Sequence, residues 1–452
     1  MVNHMLSRLM RPALALGLGI ALMSFAPARG QERPLSLGEA LERAQRRNFE
    51  VLRAQTDARA AQAGAHQARA AFLPQLSISE SATTTNDPLN VFGFKLRREI
   101  VTQADFNPAL LNDPGRTDLM TTRFAFRQPV LNPDGLFRHR AAREQARAAV
   151  YGVERTRQYV AFQVKQKYYA LVLARRSLAV IEAALEAARA NRAQADRFFE
   201  QGLITRADQL EAGVRVLELE SKRSAAEIDV HNASDELRYL LGIEEEVTLT
   251  PTDGLEPRTV SLGDVDVQAV NRSRSDMQAL RFRSEAARQA LRAGRLRFLP
   301  RLNLFGSYDL NGGALFGANG RSWTIGATLQ WNLFDGFRQI AGVERAKAEL
   351  QKSRITLQDQ ALRNQVEIDA ARRGIEQTRR QLELAQAAVA QARENLRIRT
   401  DRYAQGLEKT TDVLNAEVLL ANQELAHLET LYRYYVNVFQ LELLLERPLL
   451  AE

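Results

Sequence analysis

Apolar residues recur seven apart over much of this chain. Ile368, Ile375, Leu382, Val389, Leu396 and Tyr403 hold one register, and Ala371, Ala385 and Ala392 follow Ile368, Leu382 and Val389 by three. Val164, Leu171, Leu178, Leu185 and Phe199 hold the same register earlier, with Arg192 interrupting. A seven-residue repeat means 3.5 residues per turn, hence a left-handed supercoil with neighbouring helices. No proline occurs from 136 to 200 or from 337 to 403. Each segment is therefore predicted as one helix of about 65 residues, close to ~100 Å at 1.5 Å per residue. Return helices are predicted at 206–241 and 409–446, and short helices at 37–72 and 264–297. A short and a return helix end to end match one long helix, so each half is expected to form a two-stranded rod.

Between the short and long helices the period changes to two. Trp323, Ile325, Ala327, Leu329, Trp331 and Leu333 alternate with Ser322, Thr324, Gly326, Thr328, Gln330 and Asn332. Leu302, Leu304, Gly306, Tyr308 and Leu310 do the same, Phe124, Phe126 and Gln128 more weakly, and Leu76 and Ile78 begin a fourth run. Strict alternation predicts strands with one apolar face. Trp323 and Trp331, eight residues apart, would stand ~26 Å apart along a strand, close to the aromatic-bounded apolar band of an outer-membrane barrel. One such strand alone also suits a soluble sandwich. However, each half holds only one hairpin, and an isolated hairpin is not stable in water.

The two halves share an order. Gln201, Gly202, Leu203, Asp208, Leu210 and Ala212 match Gln405, Gly406, Leu407, Asp412, Leu414 and Ala416 at a constant offset of 204 positions. "FLP" precedes the first strand of each half, and Asp134-Gly135 and Asp335-Gly336 precede each long helix. A tandem duplication is expected: a first repeat over 31–245, a linker over 246–263 and a second repeat over 264–452. The glycines suit the left-handed position that ends a helix, and Thr205 or Thr410 is placed to cap the return helix. Asp208 and Asp412 fall in first helical turns, where a carboxylate contributes ~0.3–1 kcal/mol. Read functionally, the same aspartates form an acidic constriction once symmetry repeats them. The segment 86–119, with three prolines, is a long loop, either a lid or a packed surface loop.

Residues 1–30 carry Arg8 and Arg11, an apolar run from Ala13 to Phe25, and small residues at Ala26, Ala28 and Gly30. That is an export signal, too short to span a bilayer. The formal charge of +8 falls to about +5 once Arg8, Arg11 and Arg29 leave. The excess is mild and spread in both signs, without the basic stripe of a nucleic-acid binder. There is no cysteine, and the five histidines are scattered singly. No metal-ligand motif, nucleophile elbow or phosphate loop occurs, so neither an enzyme nor a cofactor is expected.

Four strands cannot close a membrane barrel, and open edges cannot face lipid. Chains must then share one barrel: a dimer gives eight strands, a trimer twelve, and counting does not choose. The ordered set of Phe-Leu-Pro, "NLFDG" at Asn332, "QGLITRADQLEA" and "QGLEKTTDVLNAE" resembles the TolC-type outer-membrane efflux proteins. The resemblance implies a homotrimer. Each chain would give four strands to a 12-stranded barrel in outer-membrane lipid and long helices to a periplasmic α-barrel. The implied function is a passive exit duct for efflux or type I secretion, working with a periplasmic adaptor and an inner-membrane pump. It makes Gly202, Leu203, Gly406 and Leu407 the adaptor contacts. It also implies a tip gate in which Tyr403 and Asp208 match the family's lock. Glu408 stands where the family has an arginine, and Asn415 where a second ring carboxylate can stand, so Arg206 or Arg402 is the alternative lock partner. Competing readings are a periplasmic adaptor, which lacks paired tryptophan-bounded strands, and a trimeric coiled-coil adhesin, which lacks internal duplication.

Overall fold

The computed structural model describes residues 32–258, 260 and 263–449; the export signal expected over 1–30 lies outside them. In chain order, the first half contains β1 (Glu32–Leu35), α1 (Leu37–Arg47), α2 (Phe49–Gln67), β2 (Gln75–Thr85), α3 (Pro88–Arg97), α4 (Pro108–Asn112), β3 (Thr117–Leu131), α5 (Pro133–Glu200) and α6 (Arg206–Leu240). After β4 (Thr248–Pro251) come α7 (Val267–Ser273), α8 (Ser275–Leu296), β5 (Arg301–Gly312), β6 (Gly320–Gln330), α9 (Arg338–Ala404) and α10 (Thr410–Leu445).

The heptad segments are continuous helices of 68 and 67 residues. Asn132 caps α5 by accepting from Gly135 N–H, and Pro133 occupies the first turn, where no amide partner is needed. The short helices are broken where single helices were expected. Asn48 has an extended backbone (ψ 132°), caps α2 through its side chain, and donates its amide to the Leu240 carbonyl. Arg274 makes the corresponding break between α7 and α8. The apolar seams of these helices are mostly small: Val51, Ala58 and Ala65 on α2, and Ala279, Ala286 and Ala293 on α8, all buried.

Small seams allow close approach, and they change the packing expected. The halves do not form separate two-stranded rods. α8, from the second half, lies along both α5 and α9, while α2 packs on α5. Tyr151 of α5 stacks on Phe282 of α8 at 5.4 Å between ring centres. Towards their far ends, α6 returns along α5 and α10 along α9, and α10 also packs on α5.

The main core lies midway along the long helices. Tyr168, Tyr169, Tyr435 and Phe439 pack there with Leu171, Leu237, Leu249 and Leu431. β4 falls inside the stretch read as a linker, and it pairs in parallel with β1. Tyr168 fastens this two-stranded sheet to α5: its hydroxyl lies 2.5 Å from an Asp253 carboxylate oxygen and 2.9 Å from the Leu35 carbonyl.

A four-stranded antiparallel sheet, in order β2-β3-β5-β6, caps the helices. Its register joins Ile78, Phe124, Tyr308 and Trp323 in one row and Leu76, Phe126, Gly306 and Ile325 in the next. Residues directly opposite share a face, so every apolar alternation read from the sequence meets on one side. That side is bare: Leu76 is 80%, Ile325 77% and Trp323 72% exposed. The opposite face carries Ser77, Ser79, Ser307, Thr324 and Thr328, and a two-bond ion pair from Arg123 to Asp309 at 2.8 and 2.9 Å. Gly326 makes room for the large Phe305 on that face; a Cβ on it would lie 2.5 Å from the Phe305 ring.

Two strand-level expectations need correction. β6 ends at Gln330, so Trp331 and Leu333 lie beyond the ladder. Trp331 instead donates its indole N–H to the Phe298 carbonyl at 2.9 Å, which bends it out of the strand path. The 86–119 segment is not plain loop: α3 and α4 form within it, each with proline in its first turn and an Asp87 or Asn107 cap. Val91 and Phe94 of α3 are buried, and α3 packs against β3 and β6.

Arg274 is 1% exposed; it binds both oxygens of Asp276 and donates to the Leu444 carbonyl at 3.3 Å. It therefore ties the α7–α8 break to the end of α10. Removing one partner of a buried pair typically costs ~3–5 kcal/mol. Arg274→Met is expected to lower thermal stability by that order, measured as loss of helical circular dichroism on heating.

Candidate functional site at the helix tips

Both long helices end in the same hydrogen-bond pattern. Gly202 N–H bonds to the Phe199 carbonyl and Leu203 N–H to the Phe198 carbonyl, both at 2.9 Å. Gly406 N–H bonds to the Tyr403 carbonyl at 3.0 Å and Leu407 N–H to the Arg402 carbonyl at 2.9 Å. This is the paired closure that satisfies the last carbonyls of a helix. It needs a left-handed residue, and both glycines have φ +74°. Leu203 and Leu407 are left outside the turns, 66% and 64% exposed. The glycines are thus accounted for by helix termination, and the leucines are not.

The two return helices start differently. Thr205 caps α6: its hydroxyl accepts from Asp208 N–H, and the Asp208 carboxylate accepts from Thr205 N–H at 3.0 Å and from its hydroxyl at 2.7 Å. Those bonds hold the Asp208 carboxyl below its ordinary range, the hydroxyl bond most, with the Lys409 ammonium assisting. Thr410 does not cap α10; the capping position is Lys409, which supplies no side-chain bond. Thr410 is buried instead, with its hydroxyl 3.1 Å from that of Tyr403. Tyr403 is buried as well, its ring 5.6 Å from that of Phe198, so it joins the two tips by packing.

Glu408, in the position where an arginine was the family expectation, bridges two arginines. Its carboxylate accepts from Arg399 at 2.6 Å and from Arg402 at 2.8 Å. Arg399 also stands 3.8 Å from Asp412. The Glu408 charge is thereby compensated within one hairpin, and Asp412 keeps 40% of its side chain open. Asn415 is exposed one turn further along. Arg206 takes no part in this cluster; it bonds to Gln209 and lies over the Phe199 ring at 5.5 Å. The structure brings Tyr403, Glu408 and Asp412 together on the second tip and places Asp208 and Arg206 on the first.

Sequence reasoning missed Glu417. It follows Thr410 by seven and precedes Leu431 by fourteen, all three buried, so it is a carboxylate on the inner seam of α10. A charged residue at that phase was the available signal. One oxygen accepts from the Asn191 amide of α5, and the other has no partner. Burial pushes its pKa up to about 7, against the pull of the nearby Arg215 guanidinium and the Asn191 bond. Among the described residues no group of carboxylates and histidines could hold a metal ion.

A sheet bare on one apolar side, set on helices about 100 Å long that end in paired glycine turns, defines a class of envelope protein that anchors a long helical rod through a β-sheet. The chain belongs to the outer membrane efflux protein family, which it matches over residues 40–243 and 267–446. Membership places it in the outer membrane. It is 25% identical over 292 residues to the outer membrane protein OprJ of Pseudomonas aeruginosa; the aligned stretch spans 64% of this chain and 60% of that relative's length. The fold resembles that of the CmeC outer membrane channel of Campylobacter jejuni, with TM-score 0.77, 18% identity, and 90% and 85% of the two chains covered. It also resembles the outer membrane protein VceC of Vibrio cholerae, with TM-score 0.73, 21% identity, and 91% and 96% covered.

Two outcomes are expected at the tips. Gly406→Ala meets no steric obstacle, so its cost is the left-handed backbone alone, ~1 kcal/mol; amide exchange over 402–410 should quicken while the rest of α9 is unchanged. Glu417 gains its proton more readily folded than unfolded. Its contribution to stability is therefore fully present below its ordinary value of 4.5 and is lost as pH rises towards about 7. Proteolysis of the tips should be slower at pH 5 than at pH 8, and Glu417→Gln should flatten that dependence.

Proposed function

We propose that this chain is the outer-membrane exit duct of a tripartite efflux or type I secretion system, a passive homotrimeric channel. The observation that carries the reading is the sheet. Its apolar face is uncovered, and its edge strands β2 and β6 each pair on one side only. Backbone groups on such edges go unsatisfied in hydrocarbon. Joining β6 of one chain to β2 of the next satisfies both edges, and three copies give twelve strands. The polar face, with Arg123 and Asp309, then lines the lumen. Trp323 lies within the apolar band and Trp331 at its rim.

The tandem organisation supports the same assembly, since two helix pairs per chain give twelve helices in a trimer. The glycine turns then lie farthest from the sheet, towards the inner membrane. Leu203 and Leu407, exposed without a structural need, are contacts for a periplasmic adaptor that links the duct to an inner-membrane pump. Asp412, Glu408 and Tyr403 form the gate region together with Asp208, Arg206 and Asn415. Three copies of Asp412 around one axis favour cations. Glu408 is held by two arginines, one of which also stands 3.8 Å from Asp412, so the preference rests on the open part of the Asp412 carboxylate.

The test is conductance. Trimers extracted from outer membranes should resist mild heating in detergent and form cation-preferring channels in planar bilayers. Asp412→Asn is expected to reduce the cation-to-anion permeability ratio by about twofold or more. Unchanged selectivity would remove the acidic ring, and a stable, water-soluble single chain would remove the duct. Crosslinkers placed at Leu203 or Leu407 should capture an adaptor.

A further inference from the structure

A groove of about 200 Å³ runs between α2 and α5, just below the sheet, lined in part by Gln62, His66, Arg69, His139, Arg143 and Arg147. Every ionisable side chain in it is basic or histidine. Arg69 and Arg143 are exposed and, among the described residues, meet no carboxylate. Arg147 is partly spent on Glu144 at 3.0 Å, and Glu144 does not line the groove. His139 is buried, with Nδ1 3.1 Å from the Ala65 carbonyl and Phe72 edge-on at 5.4 Å, so its ring is held in place and its Nε2 does not take part in that contact. Convergent guanidinium and imidazole groups on α2, the turn after it and α5 suit a phosphate, whose oxygens accept several charge-assisted bonds at once.

Position decides the source of that phosphate. Gln128 continues the apolar row parity of Phe124 and Phe126, and it donates its amide to the Phe72 carbonyl at 3.0 Å. The groove is therefore reached from the bare apolar face through Phe72. Leu136, Phe337 and Ile340, exposed in or just before the first turns of α5 and α9, carry that apolar surface slightly past the strands. His139 and Arg143 follow one to two turns later, about 5–10 Å on, the depth at which headgroups begin beyond hydrocarbon. His139 and Arg143 precede Tyr168 by 29 and 25 residues, near whole numbers of helical turns. They thus share the side of α5 on which Tyr168 holds β1 and β4. Side chains on α5 also lean towards its start, and so towards the sheet.

We propose that this groove binds the phosphate headgroup of an anionic phospholipid in the periplasm-facing leaflet of the outer membrane. The inference rests on the outer-membrane duct reading and adds a lipid contact to it. The groove anchors the helical rod at fixed depth and prefers negative headgroups over zwitterionic ones.

Native mass spectrometry of the full-length assembly, titrated with phosphatidylglycerol or with phosphatidylcholine of the same acyl chains, tests it. The wild type should retain phosphatidylglycerol roughly tenfold better. Arg69→Gln/Arg143→Gln should abolish the preference while conductance in planar bilayers persists. Arg53→Gln/Arg59→Gln, an equal charge loss on α2 farther from the sheet, should leave it intact. Equal retention of both lipids by the wild type, or an unaltered preference in Arg69→Gln/Arg143→Gln, would overturn the proposal. So would displacement of phosphatidylglycerol by millimolar inorganic phosphate, which would make the groove a site for free phosphate. Failure of the duct reading itself would register separately, as absence of conductance in the wild type.

Discussion

The rest of this structure depends on one constraint: peptide groups that leave water must be paired. The long helices meet it internally, and the glycine turns and caps satisfy the few groups left at their ends. The four-stranded sheet meets it only between strands. β2 and β6 keep one unpaired edge each while the face they border is apolar. The proposed trimer would meet the constraint by pairing those edges between chains.

Helix packing follows a second economy. Two helices of 68 and 67 residues cannot fold back on a small core. They are covered lengthwise by shorter helices, and the seams of α2 and α8 are rich in alanine. Close approach along such seams lets α8 lie against both long helices at once, which stitches the two halves into one wall. In the middle Tyr168, Tyr169, Tyr435 and Phe439 pack together, and Tyr168 holds the β1–β4 sheet against the rod.

The tips show how one motif is tuned by charge. Both turns close by the same two backbone bonds, yet one start is capped by Thr205 with Asp208 and the other is braced by Glu408 between Arg399 and Arg402. Asp208 is consumed by its cap and Asp412 stays partly open, so equivalent aspartates have different work. Glu417, half-satisfied on a buried seam, has its carboxyl held above the ordinary range by that burial.

The periodicities were legible in the sequence because they are local. Seven-residue spacing fixed the long helices, two-residue alternation fixed the apolar sheet face, and the repeated Gln-Gly-Leu marked both tips. Breaks at Asn48 and Arg274 were not legible, because nothing in their spacing announces them; distant partners, the Leu240 and Leu444 carbonyls, stabilise them. The pairing of β1 with β4, the seating of α8 against two helices, the Glu408 bridge and the basic groove all join residues far apart in the chain. Which side chains meet there depends on helix phase and sheet register acting together over long distances, and only the folded chain sets both.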